Sequence, residues 1–435
     1  MNILIRGARL IDPASGMDQV GDMAVADGLI VGLGSVPHGF EANRVIEAAG
    51  CVAAPGLIDL CARLREPGYE HEGFLESELL AAAAGGVTSL VCPPDTDPPL
   101  DEPGLVEMLK ARARKLERCR LFPLGALTRG LQGQGLTEMA ELTEAGCVGF
   151  SQAEEPLVDT AVLLRAMQYA ATYGYTVWLR PQDKWLGRGV AASGPVATRL
   201  GLSTVSVAAE TVSLHTTFEL MRMTGARVHV CRLSSAAGVE LIRQAKAEGL
   251  AVTADVSINS LHLTDADIGF FNADMRLTPV LRQQRDREAL RAGLMDGTVD
   301  ALVSDHLPVG ADEKQLPFAE ATAGATGVEL LLSLALKWGE AAQLPLANVL
   351  SVLTSRPAAV LGEALGGLSR SAGRLVLGGV ADVCLFDPQA SWAVEPAALC
   401  SQGKHTPFSF AHGGTRMPAR VQATLVAGAI AFERQ

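Results

Sequence analysis

From residue 89 to residue 304 the chain alternates short apolar, β-rich runs with helical stretches, and no other feature limits its fold as much. Strand-like runs are Ser89-Leu90-Val91-Cys92, Thr176-Val177-Trp178-Leu179, Arg227-Val228-His229-Val230-Cys231, Ala251 to Val256 and Ala301-Leu302-Val303-Ser304. The spacing of apolar residues predicts helices over 76–84, 102–114, 162–172, 209–224, 238–248 and 285–295. Repeated β–α units point to an α/β fold with a parallel-stranded barrel rather than a sandwich. Periodicity alone leaves an open doubly wound sheet as the alternative.

Both ends of the chain break this rhythm. Ile3-Leu4-Ile5, Met23-Ala24-Val25 and Leu29-Ile30-Val31-Gly32 read as strands, as do Arg374-Leu375-Val376-Leu377, Ala381 to Phe386 and Gln422 to Gly428. These predict one small composite β domain built from residues 1–52 and 366–435, flanking a barrel over 53–365. With 435 residues the chain is long enough for a barrel and a second unit. A net charge of −12 argues against a nucleic-acid surface. Apolar runs stop well short of the roughly 18 residues of a membrane span, and the first nine residues lack a signal peptide's apolar core. Eight cysteines without a CxxC pair fit reduced thiols and a cytoplasmic location.

Chemistry concentrates after the apolar run Cys51 to Ile58, where Asp59-Leu60-Cys61-Ala62-Arg63-Leu64-Arg65 follows. On a strand, positions 61 and 63 share a face. Two histidines there would form a metal pincer. A thiol and a guanidinium stand there instead, and arginine offers a metal no lone pair.

The chain resembles dihydroorotase, of the amidohydrolase superfamily, along essentially its whole length. The resemblance rests on Ala54-Pro55-Gly56-Leu57-Ile58-Asp59, Leu64-Arg65-Glu66-Pro67-Gly68, Ala82-Ala83-Ala84-Gly85-Gly86-Val87-Thr88, Leu263-Thr264-Asp265, Asp286 to Leu290, Ser304-Asp305-His306 and Phe386-Asp387-Pro388. It implies a metal-bearing (β/α)8 barrel of TIM type beside a composite β-sandwich domain, and ring closure or opening of dihydroorotate in pyrimidine synthesis. The family's metal ligands are an HxH pair, a bridging Asp or carboxylated Lys, two more histidines and an Asp. At those positions this chain carries Cys61 and Arg63, Gln152 followed by Ala153, Arg180, Arg232, and Asp305, which alone survives. No lysine lies between Lys115 and Lys184 to supply the bridge. Of the positions that would hold the substrate carboxylate, Arg65 is present. The family's Asn is Asp95, expected to repel an anion, and its His is Val309.

Amide-ring hydrolysis needs a metal to bring bound water from a pKa of about 15.7 towards 7, and a zinc site takes three or four donors at once. Cys61 and Asp305 supply two. Asp305 is thus expected to be a vestigial base, with no metal or other cofactor in place. Two divalent ions would carry about +4 and three arginines carry about +3, so Arg63, Arg180 and Arg232 are expected to converge on Asp305 and Asp59 as an ionic plug. Arg65 is expected either to join that plug or to meet an anion. His229 and His306 are expected to be structural, Cys61 a buried filler, and 310–327 a mobile loop where the family has a lid.

What the resemblance implies is a non-catalytic dihydroorotase-like subunit, a pseudoenzyme that assembles with the catalytic chain of aspartate transcarbamoylase, alone or alongside copies of itself. An active cyclic amidohydrolase with zinc in an altered site, and a module whose arginines bind a carboxylate or phosphate metabolite, stand as alternatives.

Overall fold

A computed structural model describes residues 1–409 and 416–434. Eight parallel strands make the barrel: Leu57–Asp59, Val87–Cys92, Arg120–Pro123 continued by Gly125–Ala126, Phe150–Ser151, Thr176–Leu179, Arg227–Val230, Val252–Ser257 and Ala301–Val303. The ring closes between the last and first strands. There Ala62 bridges His306 in parallel, and Arg63 N–H donates to His306 O at 2.8 Å. Val87–Cys92 is buried at every residue, as expected of a parallel strand covered on both faces. Helices Leu75–Ala84, Pro103–Leu116, Thr160–Tyr173, Ala208–Thr224, Ala236–Ala247 and Gln284–Asp296 fall where apolar spacing places them.

The chain ends pair into one sheet in the strand order Ala429–Glu433, Met417–Val426, Val383–Trp392, Val52–Pro55, Ile3–Asp12, Met17–Ala26, Leu29–Gly34, with Arg44–Glu47 beside Ile3–Asp12. Ile3, Ile5, Leu10, Met23, Val25, Leu385 and Leu425 form its separate core.

The apolar run after Cys51 forms two strands, and the second ends at Asp59, so Cys61 and Arg63, expected on a strand, lie just beyond it. Val52–Pro55 belongs to the composite sheet, and Leu57–Asp59 begins the barrel. Gly56 makes the break: a Cβ there would lie 2.2 Å from Thr88 Oγ1, so only glycine lets the two segments meet. Arg374-Leu375-Val376-Leu377 is not a strand. Gly373 and Gly378 have φ of +67° and +75° and turn the chain at either side, leaving Leu377 exposed. The expected mobile loop over 310–327 is pinned instead. Lys314 is buried and donates to Ala273 O and Arg276 O at 3.1 and 2.9 Å, and Phe318 packs inside. Among the described residues no helix is long and apolar enough to cross a membrane.

Candidate functional site

Four bends in the backbone aim side chains across the barrel ends. Arg65, Ala153, Arg232 and Asp305 adopt φ of +63°, +50°, +54° and +50°, a region in which non-glycine residues store strain unless neighbours hold them. Arg232 is held: its N–H donates to Asp255 Oδ1 at 2.6 Å. His229 lies on the strand Arg227–Val230, and Cys231 follows it directly before this bend.

Arg63, Arg180 and Arg232 do converge, as expected, but not on Asp305. Glu154 is the hub. It accepts from Arg63 at 2.7 Å, from Arg180 at 2.6 Å and from Arg232 in a very short contact. Arg63 also pairs with Asp95 at 2.8 Å, and Arg232 alone reaches Asp305, at 3.1 Å. Asp59 takes no arginine. Its carboxylate accepts from Ser304 N–H at 3.1 Å, from Ser304 Oγ, and from Cys61 N–H at 3.2 Å, tying the first strand to the last. Burial pushes its carboxyl up to about 6 despite those bonds.

Charges in the cluster stabilise one another. Burial would raise the Glu154 carboxyl, but Arg180, Arg232 and Arg63 outweigh it and hold it well below the carboxylate range. Burial likewise lowers Arg232, and Glu154 with Asp305 overrides it, fixing the guanidinium as a cation. Asp305 goes the other way: burial lifts its carboxyl more than Arg232 and Arg63 pull it down.

The remaining positions are equally committed. Gln152, expected to stand at the bridge position, accepts from Thr128 Oγ1 at 3.0 Å and donates to Leu131 O at 2.7 Å, bracing a neighbouring loop. Asp95 was expected to repel an anion; it is instead neutralised by Arg63. Arg65 does not join the plug. Its guanidinium pairs with Glu72 and lies 4.1 Å over the Tyr69 ring. Val309 is buried. Cys61 packs among Ile58, Val91, Trp178 and Val303 inside the barrel, and burial pushes its thiol up although Arg232 and Arg63 pull the other way. His306 accepts at Nδ1 from Gly327 and Val328 N–H and donates from Nε2 to Glu78 at 2.9 Å, which makes it a fully used structural group.

A metal of the kind the fold implies does not fit this donor set. Three of the positions carry permanently protonated guanidiniums, and Glu154 is already shared among them. Elsewhere among the described residues, His229, Cys231 and Asp255 bring possible ligand atoms within 4.8 Å of one another. Both ring nitrogens of His229 are engaged, by Thr253 Oγ1 at 2.7 Å and Asp255 Oδ2 at 2.9 Å, and Asp255 also holds the Arg232 bend. A second trio, His71, Glu72 and Glu313, includes the partner of Arg65. Glu154 is the residue that sequence reasoning missed. Its signal was present in the stretch with Gln152 and Ala153, where Glu154 and Glu155 are the carboxylates that follow.

A family profile described as Dihydro-orotase-like matches residues 50–237. Over 434 residues the chain is 44% identical to a dihydroorotase-like protein of Pseudomonas aeruginosa and 37% identical to a dihydroorotase of Geobacter sp., each match spanning 100% of both chains. Among solved structures, L-hydantoinase (dihydropyrimidinase) from Arthrobacter aurescens superposes with a TM-score of 0.85 at 23% identity, covering 98% of this chain and 95% of that one. A D-hydantoinase gives 0.81 at 21% identity, covering 99% and 95%. At such identities the structural likeness speaks for the fold.

Proposed function

The chain belongs to the dihydroorotase-like family of the amidohydrolase superfamily, and on that premise we propose that it is catalytically inactive and serves as a structural partner of the aspartate transcarbamoylase catalytic chain. One observation carries the inactivity: Glu154 binds three arginines at positions where the family holds its metals. Without a metal, no group in the cluster can make hydroxide at neutral pH or polarise an amide carbonyl. Asp305 is tied to Arg232 and has no activated water to serve as a base.

The barrel, the composite sheet and their cores are intact, while the site is filled by an internal ion cluster. A chain whose fold outlasts its chemistry is retained for its surface. The cytoplasm, where pyrimidine precursors are made, is the corresponding location.

Two measurements test this reading. Purified protein dialysed against zinc is assayed for bound metal and for cyclisation of carbamoyl aspartate; substoichiometric metal and no turnover are expected, and stoichiometric zinc with turnover would restore the enzyme. Co-expression with an aspartate transcarbamoylase catalytic chain from the same genome is expected to yield a co-eluting complex. Separate elution at micromolar concentrations would remove the scaffold role.

A further inference from the structure

Beside the ion cluster lies a cavity of about 220 Å³ bordered by Arg180, Arg232, Arg276 and Arg282. Its one bordering carboxylate, Glu210, is spent. Both of its oxygens accept from the N–H and O–H groups of Ser234 and Ser235, at 2.6 to 3.0 Å apart from one shorter contact. Arg180 and Arg232 share Glu154. Arg282 gives its donors to Ser234 Oγ and Val205 O, at 2.9 and 3.3 Å. Arg276 makes one long hydrogen bond, 3.4 Å to Leu277 O. Among the described residues neither Arg276 nor Arg282 has a carboxylate partner.

Two donors on the arginines that border this cavity are orphaned. The Nε–H groups of Arg232 and Arg276 are buried and bond to nothing, and the Arg232 side chain is only 4% exposed. A buried donor without an acceptor costs roughly 1–3 kcal/mol, more when charged. Guanidinium forks find their best acceptors in the paired oxygens of carboxylates and phosphates.

We propose that this cavity binds a small organic oxyanion, a phosphate monoester or a dicarboxylate, which accepts from the Arg276 guanidinium with the Arg232 cation beside it. Arg180 and Arg282 set the positive field around it. The site stands apart from the scaffold reading: assembly with a partner chain and anion binding have separate readouts, and either can fail alone.

Calorimetric titration and thermal shift on the full chain test it, with inorganic phosphate and succinate as probes and sodium chloride at matched ionic strength as control. Saturable binding of at least one probe is expected, and which one binds identifies the anion class. In R276Q, which gives up only one long hydrogen bond and so should fold, affinity should fall at least tenfold. R276K, which keeps the charge but not the fork, should lose several-fold. No saturable response beyond that of chloride would overturn the proposal, as would undiminished affinity in R276Q.

Discussion

Glu154 is where residue-scale physics decides the matter. Its carboxylate faces three guanidiniums, so its removal leaves Arg180 without a carboxylate among the described residues and Arg63 and Arg232 with only Asp95 and Asp305. Breaking a buried ion cluster from one side costs on the order of 3 kcal/mol, here moderated because the Glu154 side chain keeps 30% of its surface open. E154Q should lose about that much in urea unfolding at pH 7; a loss under about 0.5 kcal/mol would mean that the arginines do not depend on it. The same carboxyl gives a pH signature. Its folded-state value lies below the ordinary 4.5, so its contribution is fully present above pH 4.5 and fades as pH falls towards the lower folded value. Acid unfolding of E154Q should therefore show a weaker pH dependence below 4.5 than the parent chain, and equal slopes would contradict the assignment. The arginines at 63, 180 and 232 were legible in the sequence because residue type alone forbids metal ligation. Their partner was not: Asp305 was the surviving ligand, yet which carboxylate they meet depends on the bend at Ala153 and on strands distant in sequence.

At the scale of elements, the barrel's seam and its junction with the composite sheet carry the load. Asp59 joins the first strand to the last through Ser304, and burial lifts its carboxyl to about 6 from an ordinary 3.8. A raised acid is held protonated by the fold, so stability falls as pH rises from about 3.8 through 6. D59N should flatten part of that slope in thermal melts between pH 4 and 7; an unchanged slope would place the titration elsewhere. At the junction, Gly86 has a φ of +85°, and a Cβ there would lie 2.4 Å from Cys384 Sγ in the composite sheet. G86A should cost roughly 1–3 kcal/mol through overpacking and backbone strain, read as a lower urea midpoint, and a neutral effect would mean that the two units give way easily. Helices Pro103–Leu116, Thr160–Tyr173, Ala236–Ala247 and Gln284–Asp296 were legible because each keeps an apolar stripe on a 3.6 period. The split at Gly56 and the loss of the strand at 374–377 were not, because a close approach to Thr88 and a pair of turn glycines override strand propensity there.

For the whole molecule, the family fold stands with three arginines gathered round Glu154. Internal charge pairing links the strand ends there, and the backbone at Arg65, Arg232 and Asp305 takes up positive φ. Reversion is then a matter of side chains. A variant carrying C61H, R63H, Q152D, R180H and R232H together should take up zinc in proportion to protein, whereas R232H alone should take up none. Failure of the combined variant, if folded, would show that the backbone has drifted from the family's geometry. The most direct test of the central claim is a crystal of the zinc-soaked native protein, measured at the zinc absorption edge. The account predicts no anomalous peak between residues 61, 63, 180, 232 and 305, and continuous density linking Glu154 to the three arginines; a zinc peak there, with the guanidiniums turned aside, would contradict it.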